Sequence, residues 1–425
     1  MAAPQIGSGE QTPLSEPGAA PRFAQVAQSF RALRHRNFRL FIGGQIVSLV
    51  GTWMQRVAES WLVYRLTHSE LLLGTAWFCS QIAVFALGPL GGVAADRVSR
   101  QKLVIWTQVL SMLQAFALAA LTLTGHVQVW HVLALATLLG AINAFDIPGR
   151  QALVVHMASQ EDLLPAISLN SAVFNTARVV GPGLAGLVLA AVGEGVCFFL
   201  NGVSFLAVIV SLAMMRIPPV ERKAAEPPLR HLADGFRYTW SHVGVRRILW
   251  LMAASTFAGM PVLVLIPFFA DDIFHRGSRG LGFLMAAMGC GAVAGVLVLA
   301  RRTQVKGLPR VMAWSGIWAG CAYAAFGLAQ SYWFAMAVMP VMGYFVMTQM
   351  ASANTTIQTT IPDEYRGRVM SLYAMTVVGL GPFGSLASGA LAGRFGARAV
   401  VAAGGVLAAV AAAAFGYVSK GDWGD

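Results

Sequence analysis

Charge is what this 425-residue sequence has least of. Asp, Glu, Lys and Arg make up 11% of it and AVILMFWYC 57%, whereas an ordinary soluble domain carries roughly 25% charged residues. A soluble fold with so little charge could not cover its own surface. Cysteine is scarce as well. Cys79, Cys197, Cys290 and Cys321 each lie in an apolar stretch without paired spacing, which excludes a disulfide or zinc framework and leaves small apolar filler. Signatures of chemistry are also missing: there is no His-Glu-x-x-His, no Gly-x-Ser-x-Gly and no Gly-x-x-x-x-Gly-Lys-Ser/Thr, and the eight His do not cluster. These absences disfavour an intramembrane enzyme and a nucleotide-driven pump, and no cofactor or metal is expected. What is abundant is long apolar runs, several exceeding the roughly 18–20 residues that cross a bilayer core as helix. With a mean hydropathy of +0.65, the chain reads as an all-α membrane protein.

Residues 1–25 are rich in Pro, Gly, Ala, Ser and Gln, so 1–30 reads as a disordered cytoplasmic tail without the basic-then-apolar order of a signal peptide. Twelve spans follow, at about 38–66, 71–95, 103–124, 129–156, 164–192, 195–215, 246–270, 280–300, 309–329, 332–360, 367–392 and 398–418. The stretch 217–243 interrupts them, with Pro218, Pro219, Pro227 and Pro228 and no apolar run. It predicts a cytoplasmic linker between six-helix bundles over 31–216 and 244–418, with 419–425 as a second tail.

Lys and Arg number 30 against 18 acids, a formal net charge of +12. In a soluble chain that excess would point to nucleic acid. Here the basic residues sit between apolar runs, without an aromatic-interleaved basic face, and they set orientation instead. Of the 30, 22 fall in the tails, the linker and the loops on one side, and five (Arg65, Arg276, Arg279, Arg394, Arg398) fall on the other. That split predicts both termini in the cytoplasm. Arg56, Arg150 and Arg178 lie within spans.

The two halves repeat. The fifth span contains SAVFNTARVVGPGLAG from Ser171, and the eleventh contains SLYAMTVVGLGPFGSLASG from Ser371. Gly181-Pro182 and Gly381-Pro382 each stand ten residues after the Ser and lie 200 residues apart. Transporters built from such repeats bind substrate near the midplane, between the halves. Between spans two and three stands Gly88-Pro-Leu-Gly-Gly92-Val-Ala-Ala-Asp96-Arg97-Val-Ser-Arg100-Gln-Lys102. Gly92 permits close approach of another helix, and Asp96 can accept hydrogen bonds at a neighbouring helix N-terminus. Arg97, Arg100 and Lys102 can pair with carboxylates across the halves. The second half keeps Gly291, Gly295, Arg301 and Arg302 at the corresponding place, but no acid.

That loop resembles the major facilitator superfamily signature Gly-x-x-x-Asp-Arg-x-Gly-Arg-x-Lys/Arg, with Ser99 in place of the second glycine. The stretches Arg34–Arg39, Trp53–Tyr64, Phe145–Gln151, Leu169-Asn170 and Ala177–Pro182 are similar to a bacterial branch of the superfamily, that of enterobactin exporters and the drug:proton antiporters grouped with them. The likeness runs from about residue 31 to 400. It implies twelve transmembrane helices in two six-helix pseudo-repeat bundles in the bacterial inner membrane. It further implies alternating access and, usually, proton-driven export of a small hydrophobic molecule, drug or siderophore. An importer or uniporter of a small metabolite on the same fold is the alternative. Gly181, Pro182, Gly183 and Gly186 match the fifth-helix pattern associated with antiporters, and are equally what a kinked helix with a small-residue packing face requires. The partners expected are a small-molecule substrate, protons and the bilayer, with the chain acting as a monomer.

Charges inside a membrane are expensive and mark function by default. Only Glu59 and Asp146 are acids well inside spans. Arg56 and Glu59, three apart, and Asp146 and Arg150, four apart, can each meet on one helix face. Asp146-Ile-Pro-Gly-Arg150 is expected to break its helix, and broken segments line protein or a cavity. Arg178 has no local partner; it should face the cavity and meet Asp146, Glu59 or an anionic cargo group. Gln55, Asn143, Asn175, Gln349 and Asn354 are polar cavity candidates. Met336, Met339, Met342, Met347 and Met350 enrich the tenth span as core or as soft cargo contacts, whereas Asp271 and Asp272 read as a loop boundary.

Overall fold

A computed structural model describes residues 30–154, 157–216, 236–302 and 307–419. Both expected tails, apart from Phe30 and Ser419, and 217–235 of the expected linker lie outside these residues. The described chain is helical, with no strand among the described residues. The helices are α1 Arg36–Thr67, α2 Glu70–Arg97, α3 Arg100–Leu123, α4 Val129–Val154, α5 Leu163–Val192 and α6 Glu194–Ala213. The second six are α7 Val243–Phe268, α8 Gly277–Ala300, α9 Leu308–Leu328, α10 Tyr332–Thr360, α11a Asp363–Gly379 with α11b Gly381–Phe395, and α12 Ala397–Val418. A π-helical turn, Phe269–Ile273, prolongs α7.

Eleven of the twelve spans are long and apolar enough to cross a membrane, α11a and α11b counting as one. The exception is α1, which is long enough but carries Gln45, Ser48, Gln55, Arg56 and Glu59 along its middle. Gln45, Ser48 and Gln55 are buried because α1 packs on α5 and α6, whereas Glu59 is half-buried and Arg56 exposed. Trp106, Trp250, Trp314 and Leu200 instead point outward, the apolar surface a lipid environment demands.

Helices α1–α6 pack chiefly among themselves, through α2 on α4, α1 on α5 and α6, and α3 on α6. Helices α7–α12 repeat the plan, with α8 on α10, α9 on α10 and α12, and α7 on α12. The equivalence extends to the backbone. Gly193 and Gly396, both at φ 83°, turn the chain between α5 and α6 and between α11b and α12, a conformation only glycine adopts freely. Gly91 on α2 meets the Ala144 carbonyl of α4 so closely that a Cβ would overlap it, and Gly291 on α8 meets the Pro340 carbonyl of α10 in the same way.

Two long packings join the halves, α2 on α11b and α5 on α8. Their close approaches lie at mid-bundle and towards the end away from the chain termini. Gly389 abuts the Glu70 carbonyl, Gly186 comes against Gly282, and Gly379 lies under the Phe85 ring. At that far end Tyr64 Oη of α1 donates to Asp272 at 2.6 Å, with Asp271 at 3.1 Å. At the termini-bearing end, Asp96 and Arg97 of the first half and Gln358 and Thr359 of the second are exposed. Neither α4 nor α5 packs extensively on α10 among the described residues. The bundle is therefore sealed at the far end and parted at the termini-bearing end.

Two local expectations are corrected. Asp146-Ile-Pro-Gly-Arg150 does not break α4, which runs on through Pro148. Proline removes one i→i−4 bond, here the one Ala144 would have accepted, and α2 covers that carbonyl at Gly91. The matching Gly-Pro pairs also behave differently: α5 continues through Pro182, whereas α11 breaks at Leu380 and restarts with Pro382 in the first turn of α11b.

Candidate functional site

The polar core of the first half is built across four helices. Asp146, 1% exposed, sits on α4 and forms the expected ion pair with Arg150 one turn on. From α3, Thr107 Oγ1 donates to Asp146 Oδ1 at 2.7 Å and Gln108 Nε2 donates to it at 2.9 Å. Arg150 Nη1 donates in turn to Gln45 Oε1 of α1 at 3.1 Å. One carboxylate thereby ties α3, α4 and α1 together, with a cation and two neutral donors satisfying it. Thr107 and Gln108 were not foreseen, because both are uncharged and their alignment with α4 is a tertiary fact.

Glu59 is held differently. It does not form an ion pair with Arg56, contrary to the three-residue spacing. Gln55 Nε2 donates to Glu59 Oε1 at 2.8 Å, and also reaches Gln114 Oε1 of α3 at 3.1 Å. Asn201 Nδ2 of α6 donates to Gln55 Oε1 at 2.6 Å. Gln55 is thus a buried junction between helices rather than a cavity wall. Arg56 turns to the Trp53 ring, with Cζ 4.9 Å from its centroid. Arg178 approaches the same ring from α5, at 5.8 Å, and the Phe174 ring stands edge-on to it at 5.9 Å. Arg178 meets neither Asp146 nor Glu59 in an ion pair among the described residues. Trp53 escaped the sequence reading because an aromatic in a span is ordinarily core.

Arg56, Glu59, Trp77, Gln81 and Asn143 line a small cavity of about 60 Å³ between α1, α2 and α4. Asn143 is on the wall of this cavity. The other polar candidates are not. Asn175 donates to the Ser171 carbonyl of its own helix at 2.8 Å. Gln349 is buried and donates to Ser255 Oγ of α7 at 3.1 Å. Asn354 accepts from Gln358 one turn along α10. Met339 and Met342 are fully buried core.

Much of the loop motif is displayed at the surface. Asp96, Arg97 and Lys102 are exposed, and Asp96 does not reach a helix N-terminus in this state. The close approach expected at Gly92 occurs one residue earlier, at Gly91; a Cβ on Gly92 would meet open space. The antiporter-type pattern on α5 does serve contact. Gly181 packs on Trp53 and the Val50 carbonyl of α1, while Gly183 and Gly186 face Ala286 and Gly282 of α8. Gly381 faces Met260 of α7 at 3.8 Å. Asp271 and Asp272, expected as a loop boundary, lie in the last turn before the loop to α8 and accept from Tyr64 of α1.

Residues 27–422 match the family described as transmembrane secretion effectors. The staphyloferrin A transporter of Staphylococcus aureus is 24% identical over 362 residues, covering 84% of this chain and 90% of its own length. The multidrug efflux pump Tap of Mycolicibacterium fortuitum is 24% identical over 377 residues, covering 85% and 90%. The enterobactin exporter EntS of Escherichia coli O1:K1 is 25% identical over 347 residues, covering 81% and 83%. In fold, the chain is similar to the nucleoside transporter NupG, with a TM-score of 0.70 at 15% identity over 91% of this chain and 99% of that one. It is likewise similar to a bacterial homologue of the iron transporter ferroportin, with a TM-score of 0.67 at 17% identity over 90% and 98%. A twelve-helix bundle in two halves and a match across nearly its whole length make this chain a multi-pass membrane transporter, not an enzyme, of the transmembrane secretion effector family in the major facilitator superfamily.

Proposed function

We propose that the protein exports a small organic molecule from the cytoplasm by alternating access, driven by protons entering in the opposite direction. Both termini, and hence the parted end, face the cytoplasm in this reading, as the 22-to-5 distribution of basic residues favours. The relatives named as exporters and as an efflux pump support the direction.

The observation that carries the coupling is the environment of Asp146. A coupling group must bind a proton in one facing state and release it in the other. Burial favours the neutral form of a carboxyl and an adjacent cation favours the charged form, so a helix shift that alters either toggles the proton. Asp146 is buried, paired with Arg150 and held by neutral donors from α3, on a helix whose neighbour α2 carries the Asp96 loop. Protonation leaves Arg150 to Gln45 alone and weakens the hydrogen bonds by which Asp146 ties α4 to α3. Glu59, reached through the cavity and linked by Gln55 to α3 and α6, is the second coupling group.

Comparing the medium and the contents of cells with and without the protein tests the direction. The expected result is a compound depleted inside and enriched outside, with the difference abolished in Asp146→Asn at equal membrane abundance. Enrichment inside the cells would make the protein an importer and overturn the proposal.

A further inference from the structure

We infer that Arg56, Trp53 and Arg178 form a cargo subsite for an organic anion with a planar apolar body, an assignment that rests on the transporter reading above. Its basis is a charge inventory. The interior parts of the described helices carry three guanidinium groups, Arg56, Arg150 and Arg178, and two carboxyls, Asp146 and Glu59. Arg150 is taken up by Asp146. Glu59 accepts from the neutral Gln55 amide and its charge acts on Arg56 from beyond ion-pair distance; neither Arg56 nor Arg178 has a carboxylate oxygen within 4.0 Å among the described residues.

The second half offers no remedy. Its helices carry acids only at their ends: Asp271 and Asp272 at the far end, occupied with Tyr64, and Asp363 and Glu364 at the other. Even with both interior acids ionised, one positive charge is unmatched, and with Glu59 protonated there are two. Unmatched charges inside a membrane face a partner or a polar cavity, and here the partner missing from the protein is an anion.

The chemistry of the subsite narrows the class. Guanidinium groups bind carboxylates through paired, planar hydrogen bonds. The two cations share one indole, with centroid distances of 4.9 and 5.8 Å, and they are near enough to repel each other. An anion between them relieves that repulsion. Trp53 supplies a flat apolar face for a ring or other conjugated body, and Phe174 walls it edge-on. A neutral or cationic molecule would leave the excess charge uncovered.

The test is calorimetric titration of the purified full-length protein in nanodiscs with 2-naphthoate, neutral 2-naphthamide and 2-naphthylmethylammonium. No gradient is applied, so the result does not depend on export or on proton coupling. The carboxylate is expected to bind about ten-fold or more tightly than the amide, the equivalent of one charge-assisted hydrogen bond. Arg56→Gln and Arg178→Gln should each remove most of that preference while leaving amide binding unchanged, and Arg178→Lys should restore part of it. The wild-type comparison stands even if a variant fails to fold. Equal binding of the amide or the ammonium, no saturable naphthoate binding, or a carboxylate preference surviving in both folded variants would overturn the subsite. Proton-driven export of some other compound would be untouched by that failure.

Discussion

Asp146 illustrates how a single carboxylate is held inside a bilayer-spanning bundle. It is nearly inaccessible, yet it has a cation on its own helix and two donors on the next. Removing a partner from such a set leaves buried polar atoms unsatisfied, at about 1–3 kcal/mol for a neutral donor and more for a charge. Thr107→Val is therefore expected to lower the thermal midpoint of the detergent-solubilised protein, whereas Asn143→Ala, on the cavity wall, leaves it unchanged. Glycines provide a sharper contrast. Gly91→Val drives a side chain into the Ala144–Phe145 backbone, and overpacking of this kind costs about 1–3 kcal/mol. Gly92→Ala meets open space and should unfold at the wild-type temperature; the same thermal scan decides both. Adjacent glycines in one motif look alike in a sequence. Which of them faces α4 depends on helix rotation, and that is set by packing. The Asp146–Arg150 pair was legible because it obeys the four-residue periodicity of one helix. The Trp53 arrangement was not, because Arg56 chose an indole over the acid three residues away and Arg178 arrives from another helix.

Individual elements carry the conformational state. The far end is closed by α1 on α7, where the Tyr64 hydroxyl meets two adjacent carboxylates. Hydrogen bonds to charged groups are worth about 1.5–3 kcal/mol each, enough to shift a nearly balanced two-state equilibrium. Tyr64→Phe should therefore populate the far-open state, seen as a longer distance between spin labels on His126→Cys and Gln330→Cys. An unchanged distance distribution would remove Tyr64 from the seal. The termini-bearing end has its own tie. Asp162, in the turn before α5, accepts from His35 Nε2 at 2.9 Å and pairs with Arg31 at 3.5 Å. The hydrogen bond from His35, with Arg31 nearby, holds its carboxyl below the usual carboxylate range. A lowered value means that the tie is fully present above the ordinary carboxylate pKa and is lost as pH falls through the lowered one. Protection factors over Phe30–Arg34, corrected for the intrinsic pH dependence of amide exchange, should thus be high at neutral pH and fall in acid, and those of Asp162→Asn should be low at both. The element boundaries themselves were readable to within a few residues, since apolar run length is a local property. The continuity of α4 through Pro148 and the break of α11 at Leu380 were not. Both depend on what neighbouring helices do with the carbonyl groups a proline leaves free.

At the scale of the whole molecule, two halves that pack internally and touch along α2–α11b and α5–α8 can rock about a shared interface lined with small residues. Gly183 and Gly186 against Ala286 and Gly282 let α5 and α8 pivot without interlocking side chains. In the proposed cycle, parting at the far end goes with closure at the other, where Asp96 and Arg97 would contact the second half. Asp96→Asn should slow transport at normal membrane abundance, and full transport rates in that variant would dismiss the loop from the mechanism. The fold was written along the chain in hydropathy and repeat. The cargo subsite was not, because it exists only where helices distant in sequence bring unmatched cations to one ring. The central claim is that Asp146 exchanges protons for cargo. Its most direct measurement is efflux of a compound identified by the medium comparison from proteoliposomes under an imposed pH gradient, with wild type, Asp146→Asn and Glu59→Gln side by side. The account predicts gradient-driven efflux in the wild type and its loss in Asp146→Asn, with cargo binding and passive exchange retained. Undiminished gradient-driven efflux in both acid variants would contradict it.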